Sequence, residues 1–179
     1  MEEMEDPTES IQEEIHHHAH GSPEKWVSRV ALTSALLAVL AAVTSLLSGH
    51  HANEAMVDQI QASDQWNYYQ AKGMKASILS SKMDLLAAFG KKPSEKDEGK
   101  TEQYKHDQEQ ISEKAEAKEK SSENHFNVHS IFARGVTLFQ VAIGIAAIAI
   151  LMRRKSFWLV SLVFGLGGVV FLIQGLMTH

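Results

Sequence analysis

Three long apolar stretches, almost free of charge, constrain this chain more than any other feature of its sequence. They run from Val27 to Leu47, from about Ile131 to Met152 and from Phe157 to Met177, and their only charged side chains are Arg29 and Arg134. A helix needs about 20 apolar residues to cross the hydrocarbon core of a bilayer. Each stretch reaches that length, and a soluble domain of this size could not bury three such helices. The sequence therefore predicts an all-α membrane protein with three transmembrane helices.

Charge is segregated along the chain, so a whole-chain average conceals these stretches. No Asp or Glu follows Glu123, whereas acidic residues dominate the N-terminal tail. We expect residues 1–21 to be an acidic, His-containing cytoplasmic tail. Residues 22–48 are expected to hold the first transmembrane helix, with Ser22, Pro23 and Glu24 as its start signal. No basic stripe indicates nucleic-acid binding, and the absence of cysteine excludes disulfides and thiolate chemistry.

Basic residues in short loops predict the orientation, because Lys and Arg are enriched on the cytoplasmic side. Arg153, Arg154 and Lys155 lie in the connection at 153–156, between the second transmembrane helix (131–152) and the third (157–178). Lys25 and Arg29 flank the start of the first helix. We therefore expect the N-terminus and the basic turn to be cytoplasmic, with residues 49–130 and the C-terminus outside.

Residues 49–130 are predicted to form a long extramembrane helical hairpin that resembles a coiled coil. From Ala52 to Phe89 there is no proline and Gly73 is the only glycine. Steps of four and three residues connect a set of mostly small side chains, which predicts a helix seam with a heptad-like repeat. The set comprises Ala62, Trp66, Tyr69, Gly73, Ala76, Ser80, Met83 and Ala87. Trp66 and Tyr69 are the candidate aromatic anchors of a helix–helix or subunit interface.

The second half of this segment has a weaker apolar pattern. After a polar turn at Ser94–Gly99, a second helix is expected from Thr101 to His129, with a thin stripe formed by Tyr104, Ile111, Ala115, Ser122 and Phe126. Because one thin stripe buries little area, we expect partner helices, including those of identical chains. The alternative is partial disorder in residues 91–120, where charge is high and apolar content is low.

Histidines give the most specific chemical signal in the tail. On a helix His16 and His20 would share one face, a spacing that can chelate a transition metal, with His17 beside them. The competing interpretation is a short solvated amphipathic helix without metal. His50 and His51 follow the first apolar stretch and are interpreted as interfacial polar residues rather than as a ligand pair.

The apolar stretches offer packing signals rather than catalytic ones. Gln140 and Gln174 are polar side chains within them, and such amides commonly join helices. Ser161 and Gly165 are four residues apart, which permits close helix contact, and Gly168 and Gly175 follow on the same side. No nucleophile–base or phosphate-binding motif is present, so we expect neither an enzyme nor a cofactor.

The stretch DQWNYYQAK, from Asp64 to Lys72, with the Ala-rich first apolar stretch before it, resembles the bacterial family called domain of unknown function 4337. The resemblance covers most of the chain and implies a small inner-membrane protein. It implies no catalytic residue, substrate or cofactor. Our leading expectation is a self-associating structural protein that is embedded in the lipid bilayer and presents its hairpin to a protein partner. The alternatives are a homo-oligomeric pore or transport accessory and a metal-responsive membrane sensor.

Overall fold

The computed structural model describes residues 25–92 and 94–178, which contain three α-helices and no strand. Helix α1 is Lys25–Ala88, helix α2 is Glu95–Leu151 and helix α3 is Lys155–Thr178. Each helix includes a stretch long and apolar enough to cross a membrane. The predicted all-helical fold is thereby confirmed. The first apolar stretch and the first hairpin helix, which the sequence suggested as separate elements, are parts of the single helix α1.

The chain divides into two compact units, which are described separately below. One comprises the described residues 25–52 and 126–178, and we call it the three-helix unit because parts of α1 and α2 meet α3 there. The other comprises Asn53–His125 and contains the remaining parts of α1 and α2. We call it the hairpin unit.

The turn between α1 and α2 follows from two local signals in the sequence. Gly90 has a φ of 69°, and the amides of Gly90 and Lys91 donate to the carbonyls of Ala87 and Leu86, both at 2.9 Å. This is the Schellman arrangement, in which glycine takes the left-handed conformation most easily. Ser94 then precedes α2, whose first turn carries acidic side chains, as the positive end of a helix dipole favours. The polar turn expected at Ser94–Gly99 is therefore wrong, since Glu95 already begins the helix.

One face of α1 is buried in a strict alternation of three-residue and four-residue steps, which is the repeat of a coiled coil. The alternation begins in the three-helix unit and continues at the same phase in the hairpin unit. Its buried members are Val27, Val30, Ser34, Leu37, Ala41, Thr44, Ser48, His51, Ala55, Asp58 and Ala62. Gln65, Tyr69, Lys72, Ala76, Leu79, Met83 and Leu86 follow as half-buried members. We call this set the α1 seam.

The α1 seam corrects the seam that was predicted from sequence. Ser80 and Ala87, expected on the seam, are exposed, while their neighbours Leu79 and Leu86 are half-buried in their place. Both choices repeat every seven residues, so periodicity alone could not separate them. The structure uses the phase that covers leucine rather than serine or alanine, because burying the larger apolar side chain is more favourable.

Helix α2 keeps one alternation of four-residue and three-residue steps in its buried and half-buried positions from Ile111 to Ala146. Ile111, Ala115 and Ser122 are buried as expected, but Phe126 is exposed, so its predicted place on the stripe is wrong. After Ser122 the alternation takes its three-residue step to His125 and then its four-residue step to His129, so it passes by Phe126. The same alternation includes Phe132, Phe139 and Ala146, which are buried in the three-helix unit.

Helix α3 contributes small residues to the three-helix unit, and bulky side chains of α1 and α2 fill the space above them. Its buried residues are Ser161, Gly165, Gly168 and Gly175. A Cβ placed on Gly165 would lie 2.7 Å from a methyl group of Leu37, and one on Gly168 would lie 2.7 Å from the ring of Phe139. Glycine therefore permits a helix approach that any larger side chain would obstruct.

Candidate functional site

Polar side chains connect α1 to α2 throughout the hairpin unit, and they are its most distinctive chemical feature. Three pairs bring side chains of opposite charge together: Asp58 with Lys118 at 2.8 Å, Lys72 with Asp107 at 2.6 Å, and Lys82 with Asp97 at 2.6 Å. In a fourth pair, Trp66 Nε1 donates to Glu119 Oε1 at 2.8 Å. We call these four pairs the polar ladder. They fix which α2 residue faces each position of α1, a role for which ion pairs between helices are well suited.

Asp58 is the most buried member of the polar ladder. The residue is 7% exposed and occupies a position of the α1 seam. Lys118 Nζ donates to its carboxylate, and together with a hydrogen bond from Ser121 this lowers the pKa of Asp58 below its ordinary value. One step away, Ser122 Oγ donates to the carbonyl of Ala55 at 2.7 Å. A buried carboxylate is tolerated here because it has partners for its charge.

Lys72 lies between aromatic side chains of both helices. Its ammonium nitrogen is 5.3 Å from the ring centroid of Tyr68 on α1 and 5.2 Å from that of Tyr104 on α2, within the range of a cation–π attraction. The hydrogen bond to Asp107 raises the pKa of Lys72 above its ordinary value. A lysine at a seam position is thus held by a carboxylate and two rings.

Trp66 and Tyr69, the predicted aromatic anchors, contact each other edge to face, with ring centroids 5.6 Å apart. Both are half-buried. Next to them Gln108 Nε2 of α2 donates to the Tyr69 carbonyl at 3.3 Å, and a Cβ on Gly73 would lie 2.8 Å from the same nitrogen. Gly73 therefore leaves room for an amide that crosses from one helix to the other.

An open cleft of about 600 Å³ lies on one side of the hairpin unit. Asp64 and Gln65, two residues of the DQWNYYQAK stretch, line its α1 side, and Lys114 and Lys118 line its α2 side. The lining residues are polar apart from Ala117, and they carry charges of both signs. This geometry suits contact with another polar surface better than enclosure of an apolar small molecule.

Histidines lie in the three-helix unit where α1 and α2 meet. His51 is 2% exposed and stacks on Phe132, with 5.7 Å between ring centroids. His129 Nδ1 is 2.9 Å from both the hydroxyl and the carbonyl oxygen of Ser48, so these two residues connect the helices. His50 remains exposed. Among the described residues no group of three or more His, Cys, Asp or Glu side chains is arranged to hold a metal ion.

The predicted site residues do not gather at one place. Trp66 and Tyr69 contact α2 side chains or each other in the hairpin unit, and Gly165 lies against Leu37 in the three-helix unit. Gln140 and Gln174 are exposed. Their role in joining helices stays a prediction, and the helices in question would belong to another chain. The metal-binding candidates His16, His17 and His20 lie outside the described residues.

Sequence reasoning missed the charged members of the polar ladder. Asp58 and Lys72 were not singled out, because charged side chains normally indicate a solvated helix face. One signal could have found them. Counting alternate steps of three and four residues onward from Val27 in the first apolar stretch arrives at both residues, which marks them as buried charges in need of partners.

These features define a class of protein: all-helical, with three helices of membrane-crossing length and a hairpin unit held by polar contacts between two of them. Comparison with known families is more specific. The chain belongs to the family described as Domain of unknown function (DUF4337), whose model matches residues 26–178. This agrees with the resemblance carried by the DQWNYYQAK stretch. No curated protein matches the chain, and no solved structure does.

Proposed function

We propose that this protein is a structural scaffold of the bacterial inner membrane, which associates with copies of itself and presents the hairpin unit to a protein partner outside the membrane. It has no catalytic role in this proposal. The N-terminus and the basic turn at Arg153–Lys155 are cytoplasmic, and residues 49–130 are periplasmic. The observation that carries the proposal is the α1 seam, because the same helix is used for helix–helix contact in both units.

The members of the α1 seam change from apolar or small side chains to charged ones along the helix, as expected if the first part lies in lipid and the second in water. Between Val27 and Leu47 its members are apolar or small, which suits lipid, where shape rather than hydrophobicity drives helix association. In the hairpin unit charged members such as Asp58 and Lys72 are paired across to α2. Such pairs suit a segment in water, because water can still solvate the charged groups where they are partly exposed.

Self-association is supported by the exposed amides of Gln140 and Gln174. Each lies within an apolar stretch of α2 or α3, and in hydrocarbon an amide without a partner is costly. A neighbouring copy could supply the missing partner. Thr137 offers a matched control, because it is exposed on the same helix but donates to its own helix at Ala133.

The orientation is tested by single cysteines, since the natural chain contains none. Lys96→Cys should react with a membrane-impermeant maleimide in intact spheroplasts, whereas Ser156→Cys should react only after the membrane is permeabilised. The reverse pattern would overturn the topology. Recovery of the chain from the soluble fraction without detergent would overturn the membrane assignment itself.

Self-association is tested by measuring the polypeptide mass of the complex in mild detergent and in native nanodiscs. We expect at least twice the 19.8 kDa of one chain. Gln140→Leu or Gln174→Leu should weaken the assembly, and Thr137→Val should not. A mass of one chain in both environments would refute the scaffold.

A homo-oligomeric pore is the second candidate, and the same two amides favour it, because polar side chains on an outer surface could line a water-filled path between copies. Conductance in planar bilayers separates the two functions. A pore predicts current that changes on Gln140→Leu, whereas a scaffold predicts assembly without current.

A further inference from the structure

Helix α1 has a second regular face in the hairpin unit, and the large apolar side chains on it are exposed. Large apolar side chains on this face are 46–70% exposed: Val57, Ile60, Met74, Ile78 and Leu85. They fall on alternating steps of three and four residues, together with Asp64 and Asn67 and with the small residues Ala71, Ser81 and Ala88. We call this face the outer stripe.

The outer stripe is specific to α1. Helix α2 exposes no large apolar side chain from Glu95 to His125, so its outer face is the ordinary charged surface of a helix in water. The outer stripe contains no Lys, Arg or Glu, and Asp64 is its single charged residue. Two faces with coiled-coil spacing on one helix indicate two helix partners, and α2 is the partner of the α1 seam.

We propose that the outer stripe binds the outer stripe of a second copy of this chain, in a parallel, in-register dimer. This inference rests on the proposed function, because two copies with the same membrane topology are related by an axis along the membrane normal. Such an axis places equivalent helices side by side in the same direction. Each residue of the stripe then faces its own counterpart.

The dimensions of the outer stripe fit a contact between two copies. From Val57 to Ala88 it extends about 45 Å at the rise of an α-helix, and a helix face about 10 Å wide gives an area on the order of 450 Å². Apolar patches of this size mark contact surfaces. Met56, Tyr68 and Phe89 flank it and are at least half exposed, which extends the surface toward the roughly 800 Å² per partner of a stable interface.

The polar residues of the outer stripe also suit a second copy. Asn67 would face Asn67, and paired asparagines within a coiled-coil core hydrogen-bond to each other and specify register. Along the edges, Gln70 would lie near Lys75 of the other copy and Ser77 near its Lys82, so no like charges meet there. Asp64 faces its counterpart, but Lys114 and Lys118 lie across the adjoining cleft and offset the repulsion.

Adjacent serines provide a matched crosslinking test. Ser81 lies on the outer stripe, whereas Ser80 is exposed about 100° away around the helix. In native membranes under mild oxidation, Ser81→Cys should form a disulfide-linked dimer, because facing core positions of a parallel pair bring Cβ atoms within disulfide reach. Ser80→Cys should not. Equal crosslinking of both variants, or crosslinking of Ser80→Cys alone, would overturn the proposal.

A second variant measures the energetic contribution of the outer stripe in the full chain. Ile78→Glu should weaken the assembly roughly a hundredfold in detergent, since a two-fold interface contains the change twice and each copy contributes about a tenfold loss. Ser80→Glu is the control. Circular dichroism should show unchanged helix content in both variants, because neither position is packed against α2.

The outcomes separate this inference from the proposed function. An assembly that persists unchanged in Ile78→Glu and is not crosslinked through Ser81→Cys shows that copies associate through another surface, which overturns the outer-stripe dimer and leaves the scaffold intact. A chain that is monomeric before any substitution overturns both.

Discussion

Replacing Gly168 with alanine tests how the three-helix unit is packed. A Cβ at this position would lie 2.7 Å from both Cδ1 and Cε1 of Phe139, well inside ordinary van der Waals contact. Phe139 is fully buried in the core with Leu37, Ala142 and Ile143, so its ring cannot swing away freely. Closely packed interiors respond to a single added methyl group because few voids exist to absorb it.

The magnitude follows from two opposing effects. Overpacking a filled core costs about 1–3 kcal/mol, while alanine regains as much as roughly 1 kcal/mol of helix propensity over glycine. The centre of the difference predicts a net loss of about 1 kcal/mol. Gly144 is the matched control, because a Cβ there meets no atom within 4 Å. Gly144→Ala should therefore be neutral or slightly stabilising.

The assay is reversible unfolding of the full chain in detergent, followed by tryptophan fluorescence. Trp158 is a suitable reporter, since its Nε1 donates to Thr33 Oγ1 of α1 at 3.1 Å and this contact is lost when the helices separate. Phe139→Leu combined with Gly168→Ala should recover part of the loss, because the smaller side chain vacates the space that the methyl group needs. If Gly168→Ala were as stable as the natural chain, or if Gly144→Ala were equally damaged, the packing argument would be refuted.

Three further predictions concern the hairpin unit and the turns. The pKa of Asp58 in the folded chain is lowered from 3.8, so its ion pair stabilises the fold above pH 3.8, and this stabilisation disappears as the pH falls through the folded pKa. Asp58→Asn should therefore be less stable than the natural chain at neutral pH. Its melting temperature, measured by circular dichroism, should also depend less on acid pH. Arg153 has a φ of 51°, so Arg153→Gly should stabilise the chain by about 1 kcal/mol in thermal unfolding, whereas Arg154→Gly, with the same loss of charge, should not. Leu79→Ala, at a half-buried position, should lower the free energy of unfolding by about 1–2 kcal/mol in chemical denaturation. Ser80→Ala, at an exposed position, should lower it by less than about 0.5 kcal/mol. Equal losses would contradict the corrected phase of the α1 seam.

The three helices could be predicted from sequence because the signal for each is long. Apolar stretches of about 20 residues determined where α1, α2 and α3 include a membrane-length segment, and Gly90, with its φ of 69°, follows the end of α1. The beginning of α2 was placed too late, since a cluster of charged residues with Gly99 resembles a turn. Ser94 as a cap and the acidic first turn outweigh that glycine, which costs only about 1 kcal/mol in a helix.

The contacts of the hairpin unit were less predictable, for a physical reason. Trp66 and Tyr69 are large and amphipathic, so they stand out in any seam. Asp58 and Lys72 fall on the repeat that begins at Val27, but their partners Lys118 and Asp107 lie far away in sequence. The pairing depends on where α1 turns into α2, and an error of one residue at that turn exchanges seam positions for exposed ones. Ser80 was predicted on the seam in place of Leu79 for a different reason, because both choices repeat every seven residues.

Burying Asp58 and Lys72 in a helix seam contributes little net stability, because the attraction between charges is largely offset by the water they lose. Leucine at both positions would hold two helices together as well or better. The ion pairs instead select one register between α1 and α2. A shifted hairpin would leave a carboxylate or an ammonium group buried without its partner, which is strongly unfavourable. If the α1 seam were wholly apolar, α1 would have two apolar faces, the seam and the outer stripe, and α2 could bind either of them. With charges on one face and apolar side chains on the other, α1 would distinguish its own α2 from the second copy that we propose, which is the discrimination that the proposed scaffold requires.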